Sequence, residues 1–241
     1  MEKPVGFTKR PRSIWNLDLF LGLGNVLLFL AALAMVFLYA PREATMGDIQ
    51  RIFYFHVASA WVGFAGFLLT AISGLLYLIR KNKFFDILSL SSAEMGLVFI
   101  SMTLLTGMLW AKPVWGVFWT WEPRLTISAI QWLIYAAYLI LRSSVTSTER
   151  GAKFAAVYAV AAAVTVPLSW FAIRLWRAAH PQVFSAGSIG ITPKMLTTLL
   201  VALIAFSLVF FTLLRQRMKL EQEKLFYEQL KQKEEGEGIY E

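Results

Sequence analysis

The hydrophobic positions of this chain fall into six long runs that are separated by short polar stretches. A helix needs ~20 mostly apolar residues to cross the hydrocarbon core of a bilayer, and each run approaches or exceeds that length. The pattern therefore predicts an all-α, polytopic membrane protein with six transmembrane helices. The runs cover approximately residues 17–39, 54–79, 87–110, 125–141, 154–174 and 194–214.

The composition supports a membrane protein and excludes several other classes. Only 16% of the 241 residues are charged and 58% are hydrophobic, whereas soluble domains average ~25% charged residues. A net charge of +8 would suggest a nucleic-acid partner in a soluble protein. Here the basic residues flank the apolar runs, so membrane orientation explains them and we expect no nucleic acid. The chain has no cysteine, which excludes disulfides and thiolate ligands.

The distribution of Lys and Arg predicts the orientation. One side of the membrane would hold 16 of the 23 basic residues, at both termini and in the stretches 80–86 and 142–153. The richer side of a membrane protein is normally cytoplasmic. We therefore predict that both termini are cytoplasmic, with a transmembrane domain over residues 1–214 and a charged cytoplasmic tail over 215–241. Three loops, near residues 40–53, 111–124 and 175–193, would face outward.

The chain has two histidines, His56 and His180, and both fall at or in the outward loops. Two histidines from separate segments suit the two axial positions of a planar metal macrocycle, whereas zinc usually takes three or four protein ligands. The alternative is that each is an interfacial histidine without a ligand, and the two histidines alone favour that alternative. Small residues at 59, 60 and 63 share a helical face with His56. They leave room for a flat ligand or allow close helix packing.

The second outward loop concentrates aromatic residues. Four of the nine tryptophans, Trp110, Trp115, Trp119 and Trp121, fall within twelve residues. An interfacial aromatic belt is the alternative, but a belt is spread over many spans. At helical spacing, Trp115 and Trp119 would lie on one side and offer a flat surface to a large π-system such as a porphyrin.

Basic residues are expected to form a rim around this surface. Arginine binds carboxylates in bidentate fashion, and a porphyrin such as haem carries two propionates. For Lys112, Arg174 and Arg177 a role as simple interfacial anchors is the preferred interpretation, which leaves Arg51 and Arg124 as candidates.

Two segments carry a resemblance to a known family. The stretch 115–126, WGVFWTWEPRLT, resembles the tryptophan-rich "WWD" motif WGxxWxWDxRLT of haem-handling proteins. The stretch 50–57, QRIFYFHV, resembles the first histidine region of the CcmC (cytochrome c maturation protein C) family. The chain length, the six spans and a second histidine between spans five and six agree with that family.

The resemblance implies a site for haem b on the outer, periplasmic side of the cell (inner) membrane. His56 and His180 would be the axial ligands of the haem iron, and Arg51 and Arg124 would contact propionates or an acceptor protein. Glu122 stands where the family usually has Asp, which keeps the charge and adds one methylene. The tryptophan platform would consist of Trp115, Gly116, Trp119 and Trp121.

The resemblance also implies a role in c-type cytochrome biogenesis. The chain would deliver haem to the periplasmic chaperone CcmE and would work beside the CcmA/CcmB complex and CcmD. It would not be an enzyme, and because the sequence has no nucleotide-binding motif, a partner would use any ATP.

Two other functions stay open. A cytochrome c haem lyase of the CcmF or CcsA type shares the tryptophan motif, but those proteins are generally longer and carry more histidines. A haem-exporting permease would have ionisable residues along several spans, and Glu94 in the third span is the main candidate here.

Overall fold

The computed structural model describes residues 14–144, 149–175, 184–185 and 188–237. Within these residues six helical segments are long and apolar enough to cross a membrane, so the predicted all-α architecture with six spans is confirmed. Two short antiparallel strands, β1 (Phe184–Ser185) and β2 (Ser188–Ile189), form the one small exception among the described residues. The helices are α1 (Ile14–Ala34), α2 (Ile52–Arg80), α3 (Lys83–Trp115), α4 (Pro123–Ser144), α5 (Glu149–Ala162), α6 (Thr165–Leu175) and α7 (Pro193–Glu237).

The fifth span is broken, although the hydrophobic pattern predicts one continuous helix over 154–174. The chain leaves the helical path between Ala162, the end of α5, and Thr165, the start of α6. Pro167 explains the break, because its ring collides with the carbonyl four residues earlier and it has no N–H to donate. Thr165 partly compensates by donating its hydroxyl to the carbonyl of Ala162 at 2.6 Å.

The first span ends in a π-helical turn, Met35–Tyr39. Such a turn changes the usual hydrogen-bond register and leaves carbonyls for other donors. Arg51, which ends the short 3₁₀ turn Asp48–Arg51 just before α2, donates to the carbonyl of Val36 at 2.5 Å. This contact ties the end of α1 to the start of α2.

Helices α2 and α3 are packed closely along glycine residues. A Cβ on Gly66 would lie 2.9 Å from Cα of Gly96, and a Cβ on Gly63 would lie 2.7 Å from the side chain of Ile100. The small residues that follow His56 therefore serve helix packing at Gly63. Beside this contact, the rings of Phe67 and Tyr135 are stacked at 3.5 Å, which brings α4 against α2.

Ion pairs join helix ends on one face of the bundle, which we call the basic face. They bring the start of α1 beside the second half of α7, and the start of α3 beside the end of α4. Glu94 belongs to this set, so its pairing explains the acidic residue in the third span. The pairs are Asp18 with Arg215 and Lys219, Asp86 with Lys83 and Arg142, and Glu94 with Arg217.

The opposite ends of the helices form the tryptophan face, which carries the start of α2 and the end of α3. Helix α7 starts on this face and runs for 45 residues. It passes residue 214 without interruption. The proposed division between a membrane domain and a tail stays a prediction.

Candidate functional site

His56 is the fifth residue of α2 and lies on the tryptophan face, against α3. Its Nδ1 lies 3.2 Å from the hydroxyl oxygen of Thr106. Gly107 supplies the space for the imidazole, since a Cβ there would lie 3.1 Å from Cε1 and 3.5 Å from Nδ1. The ring edge that contains these two atoms is therefore turned toward α3.

Helix α3 ends at Trp115 because Gly116 adopts a left-handed conformation with φ of +77°. Lys112 stabilises this end by donating from Nζ to the carbonyl of Gly116 at 2.9 Å. A side chain at residue 116 would meet nothing within 4 Å, so the backbone conformation alone accounts for the glycine. Gly116 thus has a structural role in setting the direction of residues 117–126, which we call the tryptophan segment.

The expectation that Trp115 and Trp119 lie on one helical side is wrong. The left-handed turn at Gly116 ends the helix between them, so helical spacing no longer applies. Trp115 instead contacts Trp110 edge to face, with ring centroids 5.2 Å apart. Trp119 contacts Trp121 in the same manner at 5.9 Å. The four tryptophans form two edge-on pairs rather than one flat stack.

The second tryptophan pair lines a groove of about 510 Å³ between α3 and α4. This volume is within the range of ~300–1,000 Å³ that is usual for small-molecule sites. Trp119 is half-buried, whereas Trp121 is 80% exposed. The groove is apolar apart from the two indoles, and its walls are Leu104, Met108, Trp119, Trp121 and Ala129.

Helix α3 joins the groove to His56. Leu104 and Met108 line the groove, while Thr106 and Gly107 of the same two turns contact the imidazole. These two sets point about 130° apart around the axis of α3, because successive residues are rotated by about 100°. The structure therefore brings His56, Trp119 and Trp121 around one segment of α3.

Arg124 is not the exposed rim residue that the sequence suggests. Its Nη1 is buried and has no hydrogen-bond partner among the described residues. The guanidinium lies within electrostatic range of both His56 and Glu122. Oε1 of Glu122 is likewise buried. Pro123 begins α4, a position that proline favours, so Arg124 lies in the first turn of that helix.

Other polar atoms of the tryptophan segment are buried without a hydrogen-bond partner in the described part of the chain. They are Nε1 of Trp119 and the hydroxyl oxygens of Thr120 and Thr126. Buried polar groups are normally paired, and each exception requires an explanation. A ligand with polar substituents would supply such partners, and together with Arg124 the set would suit a carboxylate.

The structure does not place Arg51 in this groove. Its guanidinium donates to Val36, lies 3.1 Å from Asp48 and stacks over the ring of Phe37. It lines a separate groove of about 440 Å³ with Phe37, Asp48, Ile52 and Phe55. These contacts give Arg51 a structural function at the start of α2.

His180 lies outside the described residues, as does Arg177, and the side chain of Arg174 is not among those described either. The described helices that flank them are α6, which ends at Leu175, and α7, which begins at Pro193. Lys194 lies 5.6 Å from the ring centroid of Tyr39, at the end of the first span. The start of α7 is therefore on the same face as His56.

Five contributors to the site were not predicted from the sequence: Leu104, Thr106, Gly107, Met108 and Ala129. A threonine and a glycine side by side in an apolar span were the available signal, because polar and small residues in spans often make helix contacts. Among the described residues, no group of three or more His, Cys, Asp and Glu side chains could hold a metal ion.

Comparisons with known proteins agree on one family. The family model described as "Heme exporter protein C" matches residues 8–233. A heme exporter protein C from Bradyrhizobium diazoefficiens is 32% identical over 72% of this chain and 67% of its own length. A mitochondrial protein of Marchantia polymorpha, named as ccmC-like and for cytochrome c biosynthesis, is 32% identical over 69% of this chain and 71% of its own length. A heme exporter protein C from Escherichia coli strain K12 is 26% identical over 75% of this chain and 74% of its own.

Proposed function

The chain belongs to the haem exporter protein C family, and from this premise we propose that it binds haem b on the outer face of the cytoplasmic membrane and delivers it to the chaperone CcmE. Membership implies a multi-pass membrane protein with a role in haem handling for cytochrome c biogenesis. Haem b, the periplasmic side and the acceptor are the parts of the proposal that require experiments.

One observation carries the proposal: His56 and the tryptophan groove are built on the same two turns of α3. Haem needs an imidazole for its iron, an apolar surface for its ring and cations for its propionates. His56, the groove with Trp119 and Trp121, and Arg124 with its buried Nη1 match these three requirements. Trp115 and Gly116 support the proposed site by ending α3 just before the stretch that contains Trp119 and Trp121.

We assign Nε2 of His56 as one axial ligand, because the Nδ1 edge of the ring faces α3. His180 would supply the second ligand. Its segment joins α6 to α7, and the beginning of α7 lies on the face that carries His56. Two imidazoles on opposite sides of the ring would produce a low-spin haem.

Glu122 and Arg51 have different parts in the proposal. Glu122 interacts with Arg124 and would hold that guanidinium in place for a propionate. Arg51 would act indirectly, by fixing the start of α2 and hence the position of His56.

The proposed role is binding and delivery rather than catalysis. The CcmA/CcmB complex would use ATP, and CcmD would assist the assembly. Delivery requires that the haem edge be reachable by CcmE, and the exposed Trp121 provides such an edge at the mouth of the groove.

The test is the absorption spectrum of the purified protein with hemin, compared with His56→Gly and His180→Gly. We expect a low-spin spectrum in the unaltered protein, loss of its features in each variant and partial recovery with added imidazole, which can occupy the vacated coordination site. The chain has two histidines in total, so the double variant is a strict control. A low-spin spectrum that persists in the double variant would disprove the ligand assignment.

A further inference from the structure

The hydroxyl of Thr106 is engaged with its own helix. It lies 2.7 Å from the carbonyl oxygen of Met102 and 3.1 Å from that of Thr103, and it donates to them. A hydroxyl has one hydrogen and two lone pairs. Because the hydrogen is directed to the backbone, the side of the oxygen that faces His56 presents a lone pair.

This arrangement determines the tautomer of His56. Nδ1 lies 3.2 Å from the Thr106 oxygen, whose own hydrogen is directed to the backbone carbonyls of Met102 and Thr103. A lone pair that faces Nδ1 requires that this nitrogen carry a hydrogen. Nδ1 is then a donor, and in the neutral ring Nε2 holds the lone pair that a metal needs.

Gly107 restricts the orientation of the same ring. A Cβ at this position would lie 3.1 Å from Cε1 of His56, which shows how closely the imidazole approaches α3. The ring edge with Cε1 and Nδ1 therefore fits between the Thr106 hydroxyl and the bare backbone of residue 107.

We propose that Thr106 is a positioning residue for haem: its hydroxyl accepts from Nδ1–H of His56 and so holds Nε2 as the iron ligand. The inference rests on the proposed function, since it presumes that His56 binds the iron. Partners that orient a histidine through its second nitrogen also make it a stronger ligand, and their loss typically reduces metal affinity ~10–100-fold.

The experiment compares Thr106→Val with Thr106→Ser in the full-length protein titrated with hemin. Valine keeps the shape of threonine and removes the oxygen, whereas serine keeps the oxygen. Thr197→Val is the matched control, because the Thr197 hydroxyl bonds its own helix carbonyl at Pro193 in the same manner, at 3.0 Å, on a different helix. The measurements are hemin affinity, the low-spin spectrum and the reduction potential.

We expect Thr106→Val to bind hemin ~10–100-fold more weakly and to raise the reduction potential of the haem, because loss of the hydrogen bond to Thr106 makes the imidazole a poorer electron donor to the iron. Thr106→Ser and Thr197→Val should resemble the unaltered protein. A merely structural role would lower the melting temperature of the apoprotein and leave the potential of bound haem unchanged, and that result would overturn the inference.

The two proposals fail in different ways. If His56→Gly leaves the spectrum intact, the proposed function fails and the inference fails with it. If His56→Gly alters the spectrum but Thr106→Val matches the unaltered protein in affinity and potential, the inference alone is wrong. Should Thr106→Val not fold, Thr106→Ala and Thr106→Ser supply the same comparison of an absent and a present hydroxyl, and equal potentials in these two would overturn it.

Discussion

At the scale of single residues, the buried guanidinium nitrogen of Arg124 changes the role that the sequence predicts for this side chain. An arginine with a buried nitrogen and no partner for it is costly, because desolvating a charged group is repaid only by paired hydrogen bonds. Arg124 has that property within the described structure, and it lies near His56. A propionate at this point would supply a hydrogen-bond acceptor for that nitrogen. In the proposed function, Arg124 would therefore bind the ligand rather than dock an acceptor at an exposed rim.

Replacement of Trp119 or Arg124 by alanine is expected to reduce haem occupancy sharply. Truncation of Trp119 removes a large apolar contact surface from the groove, and loss of Arg124 removes a charged partner in an apolar setting. Haem per protein after purification is the measurement. Trp61→Ala is the control, because Trp61 is 53% exposed on α2. If Arg124→Ala retains haem but fails to load CcmE, Arg124 acts in docking and our assignment is incorrect.

The sequence identified some residues of the candidate site, but it did not identify the residues of α3 that lie between them. His56, the tryptophans and Arg124 are rare or charged residues in an apolar chain, so composition draws attention to them. Thr106 and Gly107 are ordinary residues of a membrane helix. Their proposed function depends on which face of α3 packs against α2. The rotation of α3 about its own axis is determined by contacts such as Gly66 with Gly96 rather than by local sequence.

At the scale of helices, the distance between α2 and α3 controls the site, because each helix contributes one side of the His56 contact. Their backbones meet at Gly66 and Gly96, where no side chain intervenes. A small displacement of either helix would separate Nδ1 of His56 from Thr106.

Gly66→Ala is expected to destabilise the protein by about 1–3 kcal/mol, because the new methyl group would overlap the backbone of Gly96. The measurement is the melting temperature in detergent. Gly22→Ala provides the matched control in α1, since a Cβ there meets nothing within 4 Å. There alanine should be neutral or slightly stabilising, as it is the better helix former. Equal effects of the two substitutions would show that the α2–α3 contact does not limit stability.

Span lengths could be predicted at this scale because a bilayer imposes them on any crossing helix. The π-helical turn at Met35–Tyr39 could not, because it depends on the distant Arg51. The break before Thr165 had a local signal in Pro167, but prolines are also tolerated inside spans when neighbours satisfy the freed groups. Sequence alone does not distinguish these two outcomes.

At the scale of the whole molecule, the asymmetry of charge predicts the orientation. The basic face carries the ion pairs that join α1 with α7 and α3 with α4. Several acidic residues neutralise part of its charge, but acidic residues contribute little to orientation compared with Lys and Arg.

Single cysteines would test this orientation without background, since the chain has no native cysteine. Val117→Cys lies next to Gly116 on the tryptophan face and is 45% exposed, and Lys224→Cys lies on the extension of α7, where the lysine side chain is 65% exposed. A membrane-impermeant maleimide added to intact cells should label Val117→Cys alone, and both after lysis. Labelling of Lys224→Cys in intact cells would place the haem site in the cytoplasm and refute delivery to CcmE.

The length of α3 has a consequence for the depth in the membrane at which a bound ligand would be transferred to an acceptor. Its 33 residues extend about 50 Å at ~1.5 Å per residue, whereas the hydrocarbon layer is ~30 Å thick. Even at a tilt of ~40°, near the upper limit for membrane helices, the helix would rise about 38 Å. Its ends must therefore enter the headgroup layers, where tryptophan is most favourable. An amphiphile bound at the tryptophan end of α3 would have its carboxylates at the depth of the water interface and its ring at the depth of the upper acyl chains. An acceptor could then bind it without entering the hydrocarbon layer.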